Sequence, residues 1–258
     1  MSDYPILPLN EQLVLITGAA RGLGAHLARA FAREGAQVII NYYQSQEAAQ
    51  QLAQTLGNQA LALKADVRDE QAVQTLVEKA QAHFNRPVST VVNNALPAFK
   101  FDGDARPHAD QLSWQRMQQQ MGGVQSALNT VQAVLPFMAE SGFGRIINIG
   151  TNLVQHPVVP YHDYTAAKAA LLALTRTLAQ ELGPHGITVN MISGGLLRTT
   201  DASASTPDEV FELIAANTPL QRVTTPAELA DSALFFASPW ARAITGQNLI
   251  VDGGLVKK

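Results

Sequence analysis

Short apolar runs of β-forming residues alternate along this 258-residue chain with longer segments of helical periodicity. Seven such runs are nearly continuous in apolar character, at 13–16, 38–40, 60–63, 91–92, 146–149, 187–189 and 249–251. A continuous apolar run is typical of a parallel strand that is covered on both faces. The alternation therefore predicts an α/β fold, a doubly wound parallel sheet of about seven strands with helices on both faces.

Three of the intervening segments, 23–31, 124–138 and 171–182, carry an apolar stripe at helical spacing. No linker composition and no repeat divides the chain, so we expect a single domain over 1–258. Two segments, 96–107 and 196–217, are richer in small and polar residues. We expect both to emerge at the carboxyl ends of the strands, where ligands bind in such sheets. The second is either a mobile cover over a substrate or an ordinary surface loop.

Composition narrows the classes of function. Hydrophobic residues make up 47% of the chain and charged residues 15%, which is typical of a folded globular enzyme. The net charge of -3 gives no electrostatic reason to expect nucleic acid or an anionic membrane as partner. The chain has no cysteine, and its histidines and carboxylates show no metal-ligand spacing. With neither a signal-peptide pattern nor an apolar run of about 18 residues, we expect a cytoplasmic protein.

A glycine-rich turn, 17–24, directly follows the first apolar run and precedes a helical segment. Glycines permit a tight turn and a close approach of the backbone to a pyrophosphate. The helix N-terminus offers free N–H groups and a partial positive charge to the same anion. A glycine turn by itself also ends strands and starts loops, but this position favours a dinucleotide site. The residues that it assigns to the cofactor are Gly18, Arg21, Gly22, Leu23 and Gly24.

The end of the second strand favours NADP(H) over NAD(H). NAD-binding proteins usually place an acid there, roughly 20 residues past the glycines, to bind the ribose 2′-hydroxyl. Segment 41–45 contains no carboxylate. Arg21 in the turn suits a 2′-phosphate, and Ser45 can add a hydrogen bond. The other interpretation of Arg21 is a solvated surface side chain.

Two further strand ends are candidates for the cofactor cleft. Asp66 and Val67 follow the third strand, where Asp66 either accepts a hydrogen bond from the adenine amino group or caps the next helix. Asn93, Asn94 and Ala95 end the fourth strand. Paired asparagines can brace the backbone and line the cleft, or they can form a plain turn.

Tyr164 and Lys168 are four residues apart at the start of a helical pattern, so their side chains share one face. An ammonium group near a phenol lowers the phenol pKa from its ordinary value of about 10. Tyr164 then becomes a usable proton donor near neutrality, and the lysine can also hold the nicotinamide ribose. Thr151 ends the preceding strand and can hydrogen-bond a substrate carbonyl at the same site. Taken alone, the spacing also fits a surface pair.

Together these motifs resemble the short-chain dehydrogenase/reductase family over nearly the whole chain, and most of all its 3-oxoacyl-[acyl-carrier-protein] reductase-like members. The matching segments are Thr17-Gly18-x-x-x-Gly22-x-Gly24, Asp66, Asn93-Asn94-Ala95, Tyr164-x-x-x-Lys168, 190–199, Thr245-Gly246-Gln247 and Val251-Asp252-Gly253-Gly254. The resemblance implies a Rossmann-type fold in which Tyr164 is the general acid, Lys168 lowers its pKa and Thr151 takes the place of the usual serine.

The resemblance also places Gly195 and Thr199 against the nicotinamide. It implies a homodimer interface formed by the helices at 124–138 and 164–182, commonly within a homotetramer.

Four positions depart from the family pattern. Thr151 replaces a serine, and no asparagine stands near 121–123, where the family holds the water that links the lysine to solvent. Gln120 is a candidate substitute. Leu96 replaces the glycine of Asn-Asn-Ala-Gly and is expected to narrow the cleft or change the backbone. The pair at 194–195 replaces Pro-Gly and is expected to loosen the turn.

The resulting prediction is an NADPH-dependent oxidoreductase that reduces a carbonyl, on a 3-oxoacyl group or another small ketone, to an alcohol. Between 107 and 144 the only lysine or arginine is Arg116, which counts against docking of a strongly acidic carrier protein. The alternative is a catalytically impaired NADP(H)-binding sensor or scaffold, suggested by the missing asparagine and the altered loops. The intact Tyr164 and Lys168 favour catalysis.

Overall fold

The seven apolar runs lie side by side in one parallel sheet, in a computed structural model that describes residues 5–104, 106–198 and 200–257. The strands are β1 Leu13–Ile16, β2 Gln37–Tyr42, β3 Ala60–Lys64, β4 Thr90–Asn93, β5 Gly144–Thr151, β6 Ile187–Gly194 and β7 Asn248–Val251. Their order across the sheet is β3-β2-β1-β4-β5-β6-β7. The order reverses between β1 and β4, and such a switch point opens a ligand crevice at the carboxyl ends of the strands.

The described residues form seven α-helices, and helices cover both faces of the sheet, as predicted. The helices are α1 Gly22–Arg33, α2 Gln46–Leu56, α3 Glu70–Phe84, α4 Trp114–Ser141, α5 His162–Leu182, α6 Asp208–Asn217 and α7 Pro226–Ala237. Helices α1, α2 and α7 pack on one face, and α3, α4 and α5 pack on the other. None of the described helices is long and apolar enough to span a bilayer.

The core forms because successive residues of a strand point to opposite faces, and both faces are covered. In β1, Val14 and Ile16 join the hydrophobic cluster beneath α1 and α7. Leu13 and Leu15 join the cluster beneath α3, α4 and α5. All four side chains are buried, which explains why this strand is apolar without alternation.

The two irregular segments meet above the carboxyl ends of the strands. The described part of 96–107 contains no helix or strand, as predicted, whereas 196–217 differs from the expected loop because its second half is α6. Pro207 precedes this helix in an extended conformation, and Phe211 buries its inner face. The N–H of Phe101 donates to the carbonyl of Ala202 at 2.8 Å, so the two segments form one cover.

Candidate active site

The glycine-rich turn joins β1 to α1 in a conformation that only glycine adopts easily. Gly18 and Gly22 have φ angles of +61° and +53°, in the left-handed region. A Cβ atom on Gly24 would lie 2.3 Å from the carbonyl oxygen of Gly18. No side chain caps the N-terminus of α1, where Arg21 is the N-cap residue. The backbone N–H groups of this helix end remain available to an anion.

Two asparagine side chains clamp the turn from either side. Asn94 Nδ2 donates to the carbonyl oxygens of Thr17 at 2.9 Å and Gly18 at 3.2 Å. Asn41 Oδ1 accepts from the N–H of Gly18 at 3.1 Å. The bracing role predicted for the asparagine pair is thus filled at Asn94. The sequence argument used Asn41 only as a position without a carboxylate. An amide side chain at the end of a strand could also have predicted that it braces the neighbouring turn.

Asn93 takes part in a buried network rather than in the wall of the cleft. Its Nδ2 donates to Asn148 Oδ1 at 2.8 Å, and its Oδ1 accepts from Thr130 Oγ1 at 2.6 Å. Asn148 Nδ2 in turn donates to Thr175 Oγ1 at 2.9 Å. The network joins β4 and β5 to α4 and α5, so Asn93 supports the site from within the core.

A cleft of about 1430 Å³ runs along the carboxyl ends of the strands, and most of the predicted cofactor residues line it. These are Gly18, Arg21, Gly22, Leu23, Gly24, Ser45, Asp66, Val67, Asn94, Ala95, Tyr164, Lys168 and Gly195. Thr199 lies outside the described residues. The glycine cradle, the uncapped helix end and the length of the cleft fit a nicotinamide dinucleotide.

Asp66 does not cap α3, because the N-cap of that helix is Asp69, which accepts from the N–H of Ala72 at 3.1 Å. Asp66 instead forms an ion pair with Arg68, with Oδ2 and Nη2 2.6 Å apart. The hydrogen bond from Arg68 lowers the pKa of the Asp66 carboxyl. Of the two roles predicted for Asp66, only the adenine contact remains.

Arg21 is an exposed side chain with an ion-pair partner, and its contact with a 2′-phosphate stays a prediction. Its Nε lies 2.7 Å from Asp201 Oδ2, in the covering segment above the turn. Ser45 is the N-cap residue of α2, but its side chain makes no capping hydrogen bond, and it lines the cleft. The cleft-lining residues at the end of β2, 41–45, carry no acid.

Thr151, Tyr164 and Lys168 converge at the other half of the cleft. Thr151 ends β5 beside Gly194 of β6, while Tyr164 and Lys168 lie one turn apart in α5. Lys168 Nζ lies 5.8 Å from the centre of the Tyr164 ring and donates to the carbonyl of Ile149 at 2.6 Å. Sheet and helix thus bring two hydroxyls and an amine to one point.

Burial controls the protonation of this group. It raises the pKa of Tyr164 to about 12, and a hydrogen bond between the hydroxyls of Tyr164 and Thr151 opposes that increase. Burial also lowers the pKa of Lys168 to about 8. The predicted lowering of the Tyr164 pKa by Lys168 is not observed, because desolvation of the phenol dominates. Tyr164 is therefore a protonated donor at neutral pH.

Three aromatic residues that the sequence argument missed enclose Tyr164. The Phe99 ring stacks on it with centroids 4.4 Å apart, and the Phe101 ring meets it edge-on at 5.5 Å. Tyr161 packs against Phe99 at 5.3 Å. Phe99 and Phe101 are far from Tyr164 in sequence, and their only signal was a pair of aromatics in an otherwise small and polar segment.

The departures from the family pattern also have defined positions. Gln120 is buried, unlike its exposed neighbours 118–119, and lines a small cavity behind Tyr164 and Lys168. Its place beside Lys168 keeps Gln120 a candidate for the role of the missing asparagine. Leu96 lines both this cavity and the main cleft.

The expected loosening at 194–195 is not observed. Gly194 is the last residue of β6, and a Cβ there would lie 2.5 Å from Leu229. A Cβ on Gly195 would lie 3.0 Å from the Asp252 side chain. Both glycines are therefore tightly packed.

The similarity of this chain to known proteins extends over all the elements that form the site. The family model described as enoyl-(acyl carrier protein) reductase matches residues 18–256. The chain is 33% identical over 251 residues to nodulation protein G of Azospirillum brasilense, covering 96% of this chain and 99% of that protein. It is 33% identical over 256 residues to 3-oxoacyl-[acyl-carrier-protein] reductase FabG of Pseudomonas aeruginosa, with coverage of 96% and 99%.

Two solved structures share the fold closely. One is 3-ketoacyl-(acyl-carrier-protein) reductase from Brucella melitensis complexed with NADH, with a TM-score of 0.85 and 29% identity over 95% of this chain and 98% of that one. The other is gluconate 5-dehydrogenase from Burkholderia cenocepacia J2315 in complex with NADP and tartrate, with a TM-score of 0.86 and 28% identity over 98% and 97%. Similar folds thus hold either dinucleotide.

Proposed function

This chain belongs to the short-chain dehydrogenase/reductase family of oxidoreductases, and we propose that it reduces a small-molecule ketone to an alcohol with NADPH. The observation that carries the proposal is the convergence of Thr151, Tyr164 and Lys168 at one end of a cleft whose other end is the glycine cradle. A hydride donor and a proton donor then face the same carbonyl.

The residues divide the chemistry in a simple way. NADPH held in the cleft would supply a hydride, that is two electrons and a proton, to the carbonyl carbon. Tyr164 donates its hydroxyl proton to the carbonyl oxygen as the C=O π bond breaks, so the products are a secondary alcohol and NADP⁺. Thr151 hydrogen-bonds the oxygen as negative charge develops on it. Lys168, held by the carbonyl of Ile149, orients the nicotinamide ribose and returns a proton to Tyr164.

The preference for NADPH over NADH rests on charge. The end of β2 carries no acid to repel a 2′-phosphate, and Arg21 stands at the turn where that phosphate would lie. Its ion pair with Asp201 joins two exposed side chains, and such pairs are worth only about 0–1 kcal/mol. A phosphate can therefore displace Asp201 from the guanidinium at low cost.

The proposed assembly rests on the family resemblance. We propose a homodimer or homotetramer joined through α4 and α5. A cytoplasmic location also remains a prediction.

The experiment that tests the function is NADPH oxidation by the purified protein with a panel of ketones, using Tyr164→Phe as the paired variant. Tyr164→Phe should lower the rate at least ~100-fold, the low end of the effect of losing an acid–base group. NADPH affinity, measured separately by fluorescence or calorimetry, should stay nearly unchanged.

The outcomes separate the two candidate functions. Turnover that requires Tyr164 supports a working reductase, while an unchanged rate in Tyr164→Phe would contradict the assigned mechanism. Tight NADPH binding without turnover of any carbonyl would favour the sensor or scaffold, with the absent asparagine of α4 as the first cause to examine.

A further inference from the structure

The substrate half of the cleft has an aromatic wall. Phe99 and Phe101 contact the Tyr164 ring, and Tyr161 packs against both phenylalanines. The Phe99 ring lies nearly parallel to the Tyr164 ring, at an interplanar angle of 18°. Because Phe99 covers the face of Tyr164, a ketone that reaches the Tyr164 hydroxyl must pass along or displace this ring. Flat apolar rings pack well against such a surface, in stacked or edge-on arrangements.

Further apolar side chains line this half of the cleft. They come from the turn after β5, the loop before α5, α6 and the C-terminal turn, and they are Leu153, Val158, Val159, Val210, Ile214 and Leu255. Val158 is 59% exposed, so it offers apolar surface that a bound molecule would cover. Burying apolar surface is worth about 25 cal/mol per Å².

Charge at this half of the cleft disfavours an anion. Asp102 and Asp104 line the cleft. Burial raises the pKa of the Tyr161 hydroxyl, and both acids lie near enough to Tyr161 to raise it further. Arg106 lies near enough to Tyr161 to oppose Asp102 and Asp104 there, but it is not a lining residue.

Among the described residues that line the cleft, two of the three positive side chains lie at the dinucleotide half, and the third is bound to the backbone. Arg21 and Arg68 form ion pairs with acids at the dinucleotide half, and Lys168 donates to the carbonyl of Ile149. A substrate carboxylate or phosphate would lose its hydration here without gaining a cationic partner.

We infer that the substrate is an uncharged ketone with an apolar, ring-bearing body, seated against Phe99, Phe101 and Tyr161, and that Phe99 determines this specificity. This inference rests on the proposed ketone reductase activity and narrows its substrate class. It sets the chain apart from the substrates in the names of its structural neighbours, a carrier-bound acyl group and a sugar acid.

The test compares kcat/KM for two ketones of similar shape, para-methylacetophenone and para-acetylbenzoate, with an acetoacetyl thioester of coenzyme A and a keto derivative of gluconate alongside. The uncharged ketone should exceed its anionic counterpart at least ~100-fold, since the carboxylate is desolvated without a partner. Asp104→Lys should reduce this ratio.

Phe99 is tested by Phe99→Ala and by Phe99→Leu, which keeps an apolar side chain should the alanine variant fail to fold. Both should lower kcat/KM for para-methylacetophenone about 10-fold or more relative to butanone, a ketone with no ring to stack. Phe99→Tyr, which keeps an aromatic ring, should retain most of the kcat/KM for para-methylacetophenone. Trp240→Ala, which removes an aromatic side chain that is 80% exposed and does not line the cleft, is the control.

The outcomes distinguish this inference from the proposed function. Reduction that prefers the benzoate, the gluconate derivative or the thioester would overturn the inference and leave the reductase activity standing. Equal changes in kcat/KM for para-methylacetophenone and butanone in Phe99→Ala and Phe99→Leu would have the same consequence. No reduction of any ketone by the NADPH-loaded protein would overturn both.

Discussion

Arg21 forms a weak ion pair that a cofactor phosphate could replace. The guanidinium bonds to Asp201 across the mouth of the cleft, with side chains 66% and 62% exposed. Exposed pairs of this kind exchange readily because water competes for both charges. A 2′-phosphate offers two negative charges and more acceptor oxygens, which suit a guanidinium better than one carboxylate does.

Arg21→Ala should therefore weaken NADPH binding about 10- to 100-fold, the range for losing a hydrogen bond to a charged group. NADH binding should change by no more than about twofold, since it lacks the phosphate. Dissociation constants for both cofactors, measured by fluorescence, check this expectation.

Arg33→Ala is the matched control, because Arg33 lies in the same helix and pairs with Asp231 at its other end. Equal weakening of NADPH and NADH by Arg21→Ala would show that this arginine supports the turn and does not select the cofactor.

At the scale of elements, the unit formed by β1, the glycine turn and α1 depends on a close backbone approach. The first turn of α1 lies so near the carbonyl of Gly18 that only hydrogen fits on Gly24. Asn41 from β2 and Asn94 beyond β4 keep the turn in that position. Three segments distant in sequence thus build one cradle.

Gly24→Ala should disturb both folding and cofactor binding. The added methyl group has no room, so we expect a loss of about 1–3 kcal/mol in the free energy of unfolding and a decrease of roughly 2–10 °C in Tm. NADPH affinity should fall at least ~10-fold, because the helix must shift away from the pyrophosphate site. Calorimetry of the free and the NADPH-bound protein measures both effects.

Gly183→Ala is the control for this change. Gly183 follows α5 with helical φ and ψ, and a Cβ there would meet nothing within 4 Å. If Gly24→Ala and Gly183→Ala have the same Tm and the same NADPH affinity, the close approach of α1 to the carbonyl of Gly18 would be contradicted.

For the whole molecule, the outer surface of α4 and α5 carries exposed apolar and small side chains. Met121 and Leu128 of α4 are each 38% exposed, and Ala169 and Ala173 of α5 are exposed small residues. Small side chains let helices approach closely, and exposed apolar ones favour burial in an interface. This surface agrees with the assembly proposed from the family resemblance.

Leu128→Glu should weaken self-association, because a buried interface would then hold an unpaired charge. We expect the dissociation constant of the oligomer to rise at least ~10-fold, equivalent to about 1.4 kcal/mol. Light scattering coupled to size-exclusion chromatography over a dilution series measures it. Leu213→Glu on α6, where Leu213 is 64% exposed, is the control. A wild-type protein that is monomeric at every concentration would contradict the assembly.

The sequence by itself determined the features that are encoded by short motifs or by the periodicity of apolar residues. Strand positions follow from apolar runs such as 13–16, and the glycine turn and the Tyr164–Lys168 spacing are complete within a few residues. These patterns were sufficient for the order of elements, the parallel sheet and a set of cofactor residues most of which line the cleft. They did not predict α6, because the residues before and at its start are polar and the helix depends on the burial of Phe211.

Only the tertiary structure decided which distant side chains meet. Phe99 reaches Tyr164 because an irregular loop folds back over the ends of the strands, and Arg21 reaches Asp201 because the cover segment passes above the turn. No periodicity encodes contacts between residues so far apart in the chain. The pKa of Tyr164 follows the same rule, since desolvation depends on everything packed around the phenol, and the sequence displayed only the nearby lysine.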